Sequence, residues 1–208
     1  MNYDLIVDLH KNLRSWQVKR QLGVKPYSFR KLNIEKWLLV NAKINFLPNK
    51  HIVDRNLETV ADLEVENDGK GLDYFIPEHD EVEPSDFISF TSTDKNYIAF
   101  AIGAAHATKR LPNEKIIAIC NGIALPIVLL GGKEDKINSD LIHSKSSSYI
   151  VNLVGKLNLN QSASVVRQAY KVITHDTGLM HIAAAFQKKI ISIWGSTVPE
   201  FGMTPYTK

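Results

Sequence analysis

Residues 172–185 read VITHDTGLMHIAAA, and the change of periodicity within this stretch decides the fold class. Val172, Ile173 and Thr174 are β-branched and form a short apolar run, the signature of a buried strand. That strand ends at His175. Leu179, Met180, Ile182 and Ala183 then recur at helical spacing, so a helix starts immediately after Asp176. In open parallel sheets ligands bind beyond the carboxyl ends of strands. The amides of Thr177, Gly178 and Leu179, at a helix N-terminus with no intrahelical partner, suit a phosphate. Gly178 lets a ligand approach the backbone closely. Asp176 fits two readings here, an N-cap for the helix or a polar group of a ligand site. His181 also fits two, a structural imidazole or a ligand contact on a helix otherwise made of Leu, Met, Ile and Ala. A metal pair of His175 and His181 is excluded, because two ligands on one helix face stand four residues apart and these do not.

Outward from this junction, residues 97–102, 126–130, 149–153 and 190–194 are further apolar strand candidates separated by helical patterns or short links. Alternating strands and helices predict an α/β fold with a parallel sheet covered on both faces. The first part of the chain has the same character. Residues 3–9 (YDLIVDL) read as a strand, Asn12 caps a helix carrying Leu13, Trp16, Val18 and Leu22, and Gly23 stops it. Residues 26–29 return as a strand, and residues 34–40 and 52–63 read as helices. Between residues 66 and 94 the chain turns polar, acidic and rich in Gly, Pro and Ser, which predicts domains at 1–94 and 95–208.

Composition bounds the function. The chain has 208 residues, 44% hydrophobic and 23% charged, as expected of a globular protein rather than a disordered one. Its net charge of +3 comes from scattered basic residues, which argues against a nucleic-acid partner. No apolar stretch approaches the roughly 20 residues that span a bilayer, and the first residues lack the pattern of a signal peptide. Cys120 lies alone in an apolar run, so a cytoplasmic setting with at most peripheral membrane contact is expected.

Two more strand ends carry chemistry. Residues 100–112 (FAIGAAHATKRLP) leave a strand through small residues and place Lys109 and Arg110 just before Pro112, which opens a helix. A cation beside a small-residue loop suits a diphosphate, although an exposed loop lysine is an equal reading of Lys109 alone. Neither the Walker loop nor the G-x-G-x-x-G fingerprint is present. Residues 129–135 (LLGGKED) put Glu134 at a strand terminus, where a carboxylate accepts hydrogen bonds from ribose hydroxyls or sits in a solvated turn. No Asp-x-Asp pair occurs, so charge neutralisation is assigned to protein groups, with no metal and no resident cofactor expected.

The run from His175 to Ala185, followed by Ile191-Ser192-Ile193-Trp194-Gly195-Ser196-Thr197 and Pro199, resembles the most specific motif of glycosyltransferase family 9, the ADP-heptose heptosyltransferases. Lys109 ahead of Pro112, Gly131-Gly132-Lys133-Glu134, and residues 8–15 (DLHKNLRS) support the resemblance. It implies a GT-B fold of two Rossmann-like domains with parallel sheets, the N-terminal one incomplete. The acceptor side would be residues 1–94 and the nucleotide-sugar side residues 95–208, with inversion at the anomeric carbon. Carried onto this sequence, Lys109 contacts the donor phosphate and stabilises the leaving group, Glu134 holds the ribose, and Leu157 lies on the adenine side. Asp176, Thr177, Gly178, Leu179 and His181 form the cradle for phosphate and sugar, with Asp176 orienting the loop or bonding a donor hydroxyl. His10 and Arg14 are the acceptor-side candidates.

The implied donor is an ADP-linked heptose and the implied acceptor a lipopolysaccharide core or related glycan at the inner membrane face. The family's candidate base, an Asp in a glycine-rich loop after its first strand, precedes residue 1, and its final helices follow residue 208. Ala104 and Ala105 depart from the hydroxyl residues the family often carries beside the donor phosphates. Two alternatives stand beside this reading: a binding module that holds a nucleotide sugar without turnover, and a nucleotide-sugar epimerase of GT-B fold.

Overall fold

The computed structural model describes residues 3–90 and 95–207. The chain forms two compact units, Met1–Lys70 with Pro199–Met203, and Gly71–Val198 with Thr204–Lys208. The division falls earlier than the boundary expected near residue 94, and residues 91–94 lie outside the described residues. Polar contacts account for the earlier division. Asp80 accepts from Asn158 and Asn160 at 2.7 and 2.8 Å, Val82 donates its amide to Ser164 Oγ, and Glu81 pairs with Arg167. The acidic, breaker-rich segment is thus fastened to the second unit by side chains rather than left as a linker.

In the first unit β1 (Leu5–Asp8) pairs in parallel with β2 (Lys25–Ser28), and α1 (Leu13–Leu22) connects them. Asn12 caps α1: its side chain accepts from the Ser15 amide at 2.8 Å while Ser15 Oγ accepts from the Asn12 amide at 2.9 Å. Gly23, at φ 64°, closes the helix in the left-handed conformation that glycine tolerates best. Asp8 joins strand end to helix, accepting from Lys19 Nζ at 2.6 Å, Ser15 Oγ at 2.9 Å and the amides of His10 and Lys11. Burial opposes its charge, but these donors together hold the carboxyl well below the usual range.

The predicted helices at 34–40 and 52–63 each change pitch. The first runs as α2 (Asn33–Trp37) into a π-helical turn over Leu38–Ala42. The second runs as α3 (Ile52–Leu57) into 3₁₀ turns over Glu58–Leu63, where Val60 leaves helical geometry at φ −118°. Tyr27, Phe29 and Leu32 are buried, and the Arg55 guanidinium lies over Phe29, 4.9 Å from the ring centre. Leu13 and Trp16 of α1 remain 71% and 50% exposed, so helical spacing located this helix without making it a core element.

The second unit is a five-stranded parallel sheet in the order β5-β4-β3-β6-β7. The strands are β3 (Ile98–Ala101), β4 (Ile127–Leu130), β5 (Ile150–Asn152), β6 (Lys171–His175) and β7 (Ile190–Ile193). Each expected strand is present: β3, β4, β5 and β7 are shorter than expected by one residue at one or both ends, and β6 is longer, starting at Lys171. Side-chain alternation splits the core across two faces. Ala99, Val128 and Val172 pack with Val165 and Val166 of α6 (Leu159–Gln168) and Ala183 of α7 (Gly178–Ala185). Ile98, Phe100, Ile127 and Leu129 pack with Ile116 and Cys120 of α4 (Asn113–Asn121) and Ile142 of α5 (Lys136–Lys145). Burial pushes the Cys120 thiol up to about 11, leaving it an unreactive hydrophobe.

The chain builds outward from β3 to β4 and β5, then returns to the other side of β3 for β6 and β7. That reversal opens a crevice at the carboxyl ends of β3 and β6, the switch point where α/β sheets take ligands. The register places Ala101 opposite both Leu130 and Thr174, so the loops after β3, β4 and β6 leave the sheet at one edge.

Candidate functional site

At that edge lies a cavity of about 440 Å³. Lys109, Glu134, Leu157, Asp176, Thr177, Gly178 and Leu179, singled out from sequence, all line it. Gly103, Ala104 and Ala105 form the wall after β3, and Gly131 and Gly132 the wall after β4. His181 does not line it. This residue sits half-buried further along α7, and its charge favours the ionised form of Asp176 from there. His10 and Arg14 are exposed in the first unit, where His10 Nδ1 lies 3.2 Å from the Asn12 side-chain amide.

Asp176 is not the helix cap. Thr177 occupies the N-cap position of α7, at φ −143°, and makes no capping bond with its side chain. The Asp176 carboxylate instead accepts on a single oxygen, Oδ2, from Lys109 Nζ at 2.6 Å and from Thr197 Oγ1 at 2.8 Å. Burial alone would raise this carboxyl, but the two hydrogen bonds and the neighbouring charges of Lys109 and His181 outweigh it and hold the group below its ordinary value. The reading of Lys109 as a free loop lysine is corrected with it. Its side chain is only 21% exposed and is anchored at the cavity wall. One of its three N–H donors is engaged by Asp176, which leaves donor capacity for an anion.

Sequence reasoning named Arg110 beside Lys109 but missed Asp135 and its pairing with Arg110. Asp135 is a nearly buried part of the cavity lining, accepts the Gly132 amide at 3.0 Å and pairs with Arg110 at 3.4 Å. Arg110 Nε also donates to the Ala104 carbonyl at 2.8 Å, tying the loop after β3 to the loop after β4. Gly103 makes room for this pair, since a Cβ there would stand 2.2 Å from Asp135 Oδ2. Gly178 meets no such neighbour. A Cβ there would contact nothing within 4 Å, so the residue keeps space open on the helix end rather than relieving a protein clash. The run Gly131-Gly132-Lys133-Glu134-Asp135 did contain a signal for Asp135, because the third residue of a 3₁₀ turn is placed to accept the amide that opens it.

His175 joins two loop ends. It is fully buried, and its Nε2 accepts the Leu111 amide at 3.0 Å, which pins the far end of the Lys109 loop to the end of β6. This fixes the neutral ring with its proton on Nδ1, a nitrogen without a hydrogen-bond partner. Burial first, then Arg110, lower its pKa against the opposing pull of Asp135 and nearby backbone carbonyls. A histidine neutral in the fold but free to protonate when unfolded supports stability above about pH 6.5, and that support is lost as pH falls below it. The melting temperature is therefore expected to drop between pH 7.5 and 5.5, and His175→Gln to flatten that slope. An equal slope in the variant would assign the acid sensitivity elsewhere.

Among the described residues no group of three or more His, Cys, Asp or Glu side chains is clustered to hold a metal ion. Nor is any described helix long and apolar enough to cross a membrane.

The chain is 32% identical over 114 residues to lipooligosaccharide heptosyltransferase 2 of Haemophilus ducreyi, a match covering 50% of this chain and 33% of that protein. Among solved structures, the glycosyl transferase family 9 protein from Veillonella parvula DSM 2008 superposes with a TM-score of 0.77 at 21% identity, over 99% of this chain and 61% of that one. Escherichia coli heptosyltransferase WaaC with ADP superposes with a TM-score of 0.65 at 21% identity, over 100% of this chain and 65% of that one. The chain thus spans less than two thirds of the length of these relatives. Both structural neighbours share its α/β architecture with parallel sheets. The profile of glycosyltransferase family 9 (heptosyltransferase) matches residues 1–208 in full, and the chain belongs to that family.

Proposed function

We propose that this chain supplies the donor half of a sugar transfer, from a nucleoside-diphosphate sugar of the ADP-heptose type to a lipopolysaccharide core or related glycan. The observation that carries the reading is the convergence of Lys109, the N-terminus of α7, Glu134 and Leu157 on one cavity. A diphosphate in that cavity meets the Lys109 ammonium and the amides of Thr177, Gly178 and Leu179, at the positive end of the α7 dipole. These groups stabilise charge that grows on the departing nucleoside diphosphate, which is where a transferase gains most from preorganised donors. Glu134, exposed beside Gly132, accepts from ribose hydroxyls, and Leu157 gives the base an apolar wall. Asp176 repels phosphate, so its part is to orient Lys109 and to accept from a donor hydroxyl. Lys109 and the helix amides do the work that a divalent cation does in other transferases, and no resident cofactor enters the reading.

ADP and an ADP-sugar analogue are bound in solved family relatives, which supports an adenine nucleotide as the donor carrier. The acceptor side belongs to the first unit, with His10 and Arg14 as its candidates. The acceptor glycan sits on the inner face of the cytoplasmic membrane, and contact with that face is peripheral. Calorimetric titration of the 208-residue chain with ADP, UDP and GDP tests the donor site directly. Saturable binding of ADP, tighter than that of UDP or GDP, is the expected result. Equal affinity for all three would overturn the adenine assignment, and absence of saturable binding would overturn the donor reading itself.

A further inference from the structure

We infer that Thr197 is a positioning residue for Lys109, acting through Asp176, an inference that rests on the donor reading above for its functional consequence. The argument starts from one atom. Asp176 Oδ2 accepts both the Lys109 ammonium at 2.6 Å and the Thr197 hydroxyl at 2.8 Å. A carboxylate held by a single flexible lysine can rotate about its side-chain torsions. A second donor on the same oxygen, carried by a different segment, fixes the orientation that the lysine must follow. Asp176 is buried and Lys109 is mostly buried, so this bond operates where water competes poorly.

The segment that carries Thr197 is itself locked to the loop that carries Lys109. The Ser196 amide donates to the Thr108 carbonyl at 3.1 Å, and the hydroxyls of Ser196 and Thr108 lie 2.9 Å apart. Gly195 lies so close to this loop that a Cβ would stand 2.2 Å from the Thr108 carbonyl oxygen and 2.9 Å from Lys109 Cα. The turn after β7 therefore grips the Lys109 loop by its backbone and steers the lysine head through the Thr197–Asp176 contact. With Asp176 so fixed, the remaining N–H groups of Lys109 are presented to the cavity rather than shared among alternative positions.

Two measurements on the 208-residue chain test this. Competitive labelling with acetic anhydride reads the pairing of Lys109 without any ligand. Thr197→Val is expected to speed acetylation of Lys109, and Thr197→Ser, which keeps the hydroxyl, to leave it at the wild-type rate. Calorimetry then reads the consequence. Thr197→Val is expected to weaken ADP binding about three- to tenfold, the range of one lost hydrogen bond, Thr197→Ser to retain affinity, and Thr197→Val to add nothing in a Lys109→Ala background. A Lys109 labelling rate unchanged by Thr197→Val overturns the inference. So does an ADP affinity that Thr197→Val leaves intact, or an ADP penalty that persists in full without Lys109. Failure of the unmutated chain to bind ADP would instead overturn the donor reading, while the labelling rates still decide whether Thr197 positions Lys109.

Discussion

Lys109→Ala is expected to weaken ADP binding by about 10- to 100-fold, since a hydrogen bond to a charged group contributes roughly 1.5–3 kcal/mol and each 1.4 kcal/mol is a factor of ten. The loss has a second component. Lys109 is the cation paired with Asp176, whose side chain is only 7% exposed, and its removal takes away that ion pair while leaving the Thr197 hydroxyl bond. The chain should therefore also melt at a lower temperature, with a cost of about 1–3 kcal/mol for the buried acceptor left underpaired. Lys109→Ala combined with Asp176→Asn separates the two components. The double variant should recover much of the stability while ADP binding remains weak, because the phosphate donor is still absent. Recovery of ADP binding in the double variant would mean that Lys109 serves only to neutralise Asp176, and the donor role would be lost.

Gly195→Ala is expected to be comparably severe without altering a single polar group. The added Cβ would stand 2.2 Å from the Thr108 carbonyl oxygen, and that obstacle is backbone rather than the mobile tip of a side chain. One of the two loops must move, at a strain typical of overpacking, about 1–3 kcal/mol. Movement of the Lys109 loop displaces the ammonium from Asp176, so ADP affinity should fall at least tenfold along with the melting temperature. Gly178→Ala is the matched control, because a Cβ there meets no protein atom and leaves stability unchanged. Unimpaired ADP binding in Gly195→Ala would show that the turn after β7 does not set the geometry of the Lys109 loop.

Much of the second unit was legible from residue order alone. The runs that became β3, β4, β6 and β7 are apolar, short and bounded by glycine, proline or polar residues, and the small-residue loops after β3 and β4 lie where the sheet reverses direction. The first unit was legible in its elements and not in its packing. Asn12 and Gly23 bound α1 as expected, yet the apolar side chains of that helix stay exposed. The division into compact units falls earlier than residue 94, within a polar segment whose Asp80, Glu81 and Val82 bond to Asn158, at the start of α6, and to Ser164 within it. Polarity alone does not distinguish a solvated linker from a strap with satisfied partners.

Local order determined the strand, loop and helix at residues 171–185, and with it the class of site, since periodicity and glycine placement act over a few residues. Which groups that site holds in register was decided only by the tertiary structure. Lys109 and Asp176 lie 67 residues apart in sequence, Thr197 lies 21 beyond Asp176, and Leu111 finds His175 across 64. No local pattern encodes these pairings. They exist because β3, β6 and β7 are neighbours in one parallel sheet, whose common edge brings their loops within hydrogen-bonding distance.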